Sequence, residues 1–433
     1  MNKIAIELNK KIEGTTLYYL LSDFGKRIYF PNDTKMQSAE AKELATKYNA
    51  TEGMAFKDHV PMYIPSITKF FPDLDIEESI TYSGSAGDTE LRDLWEKDLK
   101  RKNPSLEGVK ISKPMVVAGL THGLSVACDM FLDVGTTLLL PSVYWPNYDL
   151  IFGEKYCAEI KTYNLESEGH LDIEGLIKAI KQEGKNKKIA VLLNFPQNPT
   201  GYSPLVSEAE TIKQEFLKLA QEGYKLLTIH DDAYFGLFYE DNIFQESLFS
   251  IFSSLHENIV AVKIDGPTKE YFVWGFRVGF ITVGSKGLSQ EHYKVIETKI
   301  MAAIRCSIST VSKPAQTIMI KAFKEKTFEE ERKKEADEIK RRYQKIKRVI
   351  DKHNFSGAIK PMPFNSGYFM SFELIGLAAE DVRKYLLTKH GIGVISFKNK
   401  YIRIAYSCID EKNVEDMVTT IINTAEELSS KKA

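Results

Sequence analysis

The 433-residue chain has four cysteines, Cys128, Cys157, Cys306 and Cys408, far apart and with no CxxC pair. That argues against a disulfide scaffold and against a thiolate metal site. Eight histidines are scattered with no ligand spacing, so no metal is expected. No apolar run is long enough to cross a bilayer. Neither sign of charge dominates, with 58 Lys+Arg against 59 Asp+Glu. No overall field therefore draws in nucleic acid or an anionic surface. The opening MNKIAIELNKKIEG is too polar for a secretion signal, and a cytoplasmic location with reduced thiols is expected. Phosphate-loop GxxxxGK[ST] and GxSxG motifs are missing. Gly391-Ile392-Gly393 lacks the third glycine of a dinucleotide fingerprint. Ser66-Ile67-Thr68-Lys69 fits the SxxK pattern of acyl hydrolases, but its SDN and KTG companions are absent, and it is read as chance.

What is present begins with ordinary globular composition, 43% hydrophobic and 27% charged, in a chain long enough for two domains. Short apolar runs predict buried strands: PMVVAG at 114–119, TLLLP at 137–141, IAVLLNF at 189–195, KLLTIH at 225–230, NIVAVKI at 258–264 and FRVGFITV at 276–283. Helical patterns separate most of them. The clearest, SEAETIKQEFLKLAQEG at 207–223, offers Ser207 and Glu210 as a capping box and Ile212, Phe216 and Leu219 as a stripe. This alternation predicts an α/β fold. Its large domain, expected at 56–320, has a mainly parallel mixed sheet flanked by helices. Residues 321–352 read as one long charged helix joining it to a smaller α/β domain. That domain is built from 1–55 and 321–433, with strands at 365–374 and 401–407 and a final helix.

Lys269 stands at the mouth of the aromatic stretch DGPTKEYFVWGFRVGF at 265–280, with Arg277 eight residues on. Lysine is rarely buried, so either its ammonium reaches water or its amine has chemistry to do. Three further polar clusters follow predicted strands: Gly119-Leu120-Thr121-His122-Gly123, Asn194 through Asn198 to Gly201, and His230-Asp231-Asp232-Ala233-Tyr234. Each has a plain reading alone, as a turn or a helix cap. Together they place an anion-binding helix start, a carboxylate, a phenol, an amide, an amine and a guanidinium on one rim, where such sheets bind ligands. That set suits a phosphorylated aromatic aldehyde with a ring nitrogen.

With these motifs in this order from Tyr82 to Arg403, the chain resembles the class I aminotransferases, pyridoxal-phosphate enzymes of the aspartate aminotransferase fold family. The resemblance implies roles for matching residues. Lys269 corresponds to the Schiff-base lysine and base, and Arg277, Leu120 and Thr121 to phosphate ligands. Asp231 corresponds to the partner of the ring nitrogen, and Tyr234 and Asn198 to partners of the ring's phenolic oxygen. Trp145 matches the stacked aromatic residue. Arg403, with Asn198, matches the site of the substrate α-carboxylate. Tyr82 matches a tyrosine that reaches the neighbouring subunit's phosphate, which implies a homodimer with shared active sites. An apolar surrounding would favour the neutral amine of Lys269. The chain departs from the pattern at Gly266, where the family often has Ser or Thr, at Pro267 and Phe272, and at Tyr148, where aspartate aminotransferases place a histidine.

The expected activity is transfer of an amino group from an acidic or aromatic L-amino acid to a 2-oxo acid. Arg305, in Met301-Ala302-Ala303-Ile304-Arg305, resembles the arginine for a distal substrate carboxylate. The alternative on the same fold is a C–S β-lyase. A cofactor-binding regulator and a hydrolase acting through Ser66 and Lys69 are weaker rivals. No nucleic acid or membrane partner is expected.

Overall fold

A computed structural model describes residues 1–31, 34–355 and 357–431. Seven strands form the larger sheet, in the order Met115–Val117, Gly279–Gly284, Ile259–Asp265, Lys225–Asp231, Lys188–Leu193, Thr137–Pro141 and Glu159–Tyr163. All run parallel except Gly279–Gly284, which is antiparallel to both neighbours. The continuous apolar runs are explained by helices on both faces. Leu138, Leu140, Ala190, Leu192, Val262 and Ile264 point into one core, with Leu124 and Ala127 of the helix Leu120–Phe131. Leu139, Ile189, Val191, Leu226 and Ala261 point into the other, with Ile212, Phe216 and Leu219 of the helix Val206–Gln221. Successive strand residues thus alternate between two buried cores.

A second sheet of four antiparallel strands has the order Ile359–Pro361, Phe369–Leu374, Tyr401–Ala405 and Ile395–Phe397. The helices Phe328–Lys352, Ala379–His390 and Val414–Ser430 complete its core. The N-terminal part of the chain joins it. Tyr48–Asn49 pairs in parallel with Ile392–Gly393, and Ala405 N–H donates to the Ala50 carbonyl at 2.9 Å.

Three local expectations are corrected, and one strand was not foreseen. The helix expected over 321–352 is two helices, Lys313–Phe323 and Phe328–Lys352. Phe323 and Phe328 flank the break and both pack on Tyr271, with ring centroids 5.7 and 5.1 Å away, so aromatic packing bends the chain there. The helix expected from Ser207 begins at Val206, and Glu208, not Glu210, returns to the start, accepting from Leu205 N–H at 2.8 Å. The strand expected from Phe276 begins at Gly279, because Trp274–Phe276 is a tight helical turn and Arg277 is left-handed, φ +53°. The edge strand Glu159–Tyr163 carries no continuous apolar run, since only one of its sides has a neighbour.

Candidate active site

Six of the seven strands of the larger sheet lead to or from residues on the same rim. Asp231 ends Lys225–Asp231, Asn194 follows Lys188–Leu193, and Lys269 lies in a short helix just beyond Ile259–Asp265. Leu120 and Thr121 open the helix after Met115–Val117, while Trp145 and Tyr148 follow Thr137–Pro141. Arg277 precedes the antiparallel strand, so it reaches the same rim from the opposite direction. Arg403 comes from Tyr401–Ala405 of the smaller sheet. Together these residues, with Asn198 and Tyr234, line one cavity of about 610 Å³.

Asp231 is buried at its floor. One carboxylate oxygen accepts the Tyr148 phenol at 2.6 Å, and the other, Oδ1, is buried with no partner. Burial pushes its pKa up to about 6; the Tyr148 bond opposes the rise and neighbouring Asp232 adds to it. Burial above all, then the Asp231 charge, lifts the Tyr148 phenol well above its ordinary range, so it donates as a neutral group. Asp232 turns to the other side. It binds the buried Lys263 ammonium and accepts from Ser247 Oγ at 2.6 Å, while Lys263 also reaches Asp265 at 3.0 Å. Of the two adjacent acids, only Asp231 faces the cavity.

Lys269 Nζ donates to the Gly53 carbonyl at 2.6 Å and lies 5.4 Å from the Tyr234 ring centre. Burial, helped by the positive charges of Arg277 and Arg403, lowers its pKa to about 8. A substantial neutral fraction is therefore present near neutrality. The Arg403 guanidinium sits 4.4 Å over the Phe369 ring. It donates to the Thr51 carbonyl at 2.8 Å and to Asn198 Oδ1 at 3.3 Å, while its Nε is buried without a partner. Asn194 ties the parts together, donating to the Asp231 carbonyl at 2.6 Å and accepting from Asn198 N–H at 2.9 Å.

The phosphate side is built from backbone. Gly119 has φ +77°, and a Cβ there would lie 2.4 Å from Arg277 Nη2. Only glycine lets the helix start approach the guanidinium this closely. The first N–H groups of the helix have no intrahelical partner and point a positive dipole end at the same place. Gly266 is set by space, since a Cβ would meet the Gly279 Cα and Val278 carbonyl at 2.9 Å. Beside it, Thr268 Oγ1 and Trp274 Nε1 line the cavity, both buried and unpartnered. These orphaned groups fit pyridoxal phosphate: an acceptor for the ring nitrogen, donors and cations for the phosphate, and an amine for the aldehyde.

Nine of the expected site residues therefore meet: Leu120, Thr121, Trp145, Asn198, Asp231, Tyr234, Lys269, Arg277 and Arg403. Tyr82 and Arg305 do not line this cavity. Tyr82 is 90% exposed, and Arg305 is exposed in the last turn of the helix Gln290–Ser307. Ser66 and Lys69 form no catalytic pair. Ser66 Oγ bonds Thr327 Oγ1 at 3.0 Å, and Lys69 pairs with Glu325 at 2.8 Å. The sequence reading missed the outer wall, formed by Lys35, Ser38 and Lys42 on the helix Thr34–Leu44 and by 51–54. The signal available was the 3–4 spacing of 35, 38 and 42, which marks one helix face. Among the described residues no helix is long and apolar enough to cross a membrane, and no His/Cys/Asp/Glu group could hold a metal.

Comparison with known proteins agrees with this geometry. The family described as Aminotransferase class I and II matches residues 56–421. The chain is 26% identical over 400 residues to the probable aspartate/prephenate aminotransferase of Aquifex aeolicus (strain VF5), covering 89% of this chain and 94% of that protein. It is 30% identical over 193 residues to the tyrosine aminotransferase of Dictyostelium discoideum, covering 43% of this chain and 42% of that one. In fold it is similar to an aminotransferase from Anaerococcus prevotii, with TM-score 0.83 at 23% identity over 94% of this chain and 99% of that one. The kynurenine aminotransferase of Pyrococcus horikoshii, solved in complex with PMP, gives TM-score 0.78 at 16% identity, over 95% and 98%.

Proposed function

Because the chain belongs to the class I and II aminotransferase family, and is thus a pyridoxal-phosphate-dependent transaminase, we propose that Lys269 carries its chemistry. The reading is transfer of an amino group from an acidic or aromatic L-amino acid to a 2-oxo acid. It rests on one observation above the others: a lysine with a lowered pKa shares a cavity with a buried, half-satisfied carboxylate and a buried, half-satisfied arginine.

The bound cofactor supplies an electron sink for the substrate's Cα. Every other task falls to the chain. The unpartnered Asp231 Oδ1 would take the ring nitrogen, and its negative charge would hold a proton there. Tyr234 and Asn198 would serve the phenolic oxygen, and Trp145 would pack on the ring. Arg277, Thr121 and the N–H of Leu120 hold the phosphate. The Thr268 hydroxyl takes the place of a side-chain ligand at Gly266, where none fits. Arg403 grips the α-carboxylate with its fork, aided by Asn198, and so sets which Cα bond faces Lys269. Lys269 would remove the Cα proton as a neutral amine and, as the resulting ammonium, give it up to the cofactor's carbon rather than back to Cα. Two copies of the chain share sites, Tyr82 reaching the partner's phosphate, in a cytoplasmic homodimer.

The test is an assay of purified protein with amino donors, in the presence and absence of a 2-oxo acid. Product that requires the acceptor, with matching loss of donor, is expected. Pyruvate released from cysteine or cystathionine without an acceptor would select the C–S lyase instead. The relatives described above are named aminotransferases.

A further inference from the structure

We propose that Lys35 is a specificity-determining residue that reads a distal carboxylate on the substrate, and so favours dicarboxylic amino acids. This rests on the transaminase reading above and deepens it. Among the described residues, five cationic side chains line the cavity: Lys35, Lys42, Lys269, Arg277 and Arg403. Four have other work. Lys269 has its amine chemistry, Arg277 faces the phosphate place at Gly119, and Arg403 is set beside Asn198. Lys42 is neutralised by Glu52 at 2.8 Å. Lys35 has no ion pair among the described residues, and its ammonium lies 5.1 Å over the ring of Phe30.

Its position is fixed by the rest of its helix. Lys35, Ser38 and Lys42 share the cavity face of Thr34–Leu44. Residues of the other face anchor it. Gln37 exchanges two hydrogen bonds with the Ser396 backbone, at 3.0 and 2.7 Å, and Glu40 pairs with Arg383 at 2.8 Å. A cation with no ion pair among the described residues is thus held in the cavity wall by a helix anchored through Gln37 and Glu40. A third anionic group is the chemistry that satisfies it. The Lys35 contact is solvent-exposed, so its effect is modest and weakened by salt.

The experiment uses the cofactor-loaded enzyme. The half-reaction is followed through the cofactor's absorption change with L-aspartate, L-glutamate, L-alanine and L-phenylalanine, in the native protein, Lys35→Met and Lys35→Arg. Binding of maleate, a dicarboxylate without an amine, is measured by calorimetry. The expected result is a fall of about two- to fivefold in the aspartate-to-alanine ratio of kcat/KM in Lys35→Met, largest at low salt. Maleate affinity falls with it, and Lys35→Arg restores both. Equal losses for all four donors, or an unmoved ratio and maleate affinity, would overturn the role of Lys35 and leave the transaminase reading standing. A native protein that reacts with none of the four donors would overturn both.

Discussion

Tyr148 donates its phenol to one oxygen of Asp231 at 2.6 Å, and leaves the other oxygen buried and unpaired toward the cavity. A histidine in this position could gain or lose a proton across the working pH range. A phenol raised by burial cannot, so the acid keeps a constant neutral donor. The bond also works against the burial that lifts Asp231 to about 6.

Tyr148→Phe removes that support. A hydrogen bond to a charged group contributes about 1.5–3 kcal/mol, equivalent to roughly one to two pH units. The folded pKa of Asp231 is already raised, and the variant raises it further, so the carboxylate is lost at a higher pH as pH falls. The acid limb of the kcat/KM profile should move upward by about that amount. The pH–rate profile of the variant checks it, and an unmoved acid limb would count against Tyr148 as the residue that positions Asp231.

Arg403 has a second effect beyond substrate binding. Its charge is one of the causes, after burial and Arg277, that lower Lys269 to about 8. In Arg403→Gln the lysine pKa should rise. The neutral amine then appears at a higher pH, and the rate at which the apoenzyme takes up cofactor gains its alkaline rise later. Loss of the fork should raise KM for amino donors about 100-fold or more, and Arg403→Lys should not restore it. Stopped-flow reconstitution across pH 6–10 (roughly two units either side of the lysine's midpoint) tests the first effect, and steady-state kinetics the second.

Much of this site was readable because catalytic groups cluster after apolar strands, and such strands are easy to recognise. Asn198, Asp231, Tyr234 and Lys269 all follow runs of Val, Ile and Leu. The resemblance singled out Asp231 and gave no physical reason for passing over its neighbour Asp232. Strand alternation sends it to the opposite face, onto Lys263, and only the register reveals this. The outer wall was not readable for another reason. Thr51 and Gly53 act through their carbonyls, which carry no residue signature, and Lys35 and Lys42 look like any exposed helix lysines. The break at 324–327 was hidden because its cause is Tyr271, more than fifty residues away in the chain.

Gly266 and Thr268 make opposite predictions. Gly266→Ser restores the hydroxyl common in the family, yet its Cβ would press on Gly279 and the Val278 carbonyl at 2.9 Å. It should cost about 1–3 kcal/mol of stability and bring no gain in cofactor affinity. Thr268→Ala removes a buried hydroxyl that has no partner, so the apoenzyme should keep its stability while cofactor affinity falls. Denaturant unfolding of the apoenzymes and cofactor titrations separate the two. Tighter cofactor binding in Gly266→Ser would contradict this account of the phosphate site.

The most direct test of the central claim is where the cofactor attaches. Borohydride reduction of the loaded enzyme, followed by peptide mapping, should place the label on Lys269 alone, and Lys269→Ala should lose the label and nearly all turnover. A label on another lysine, or full turnover in Lys269→Ala, would contradict it.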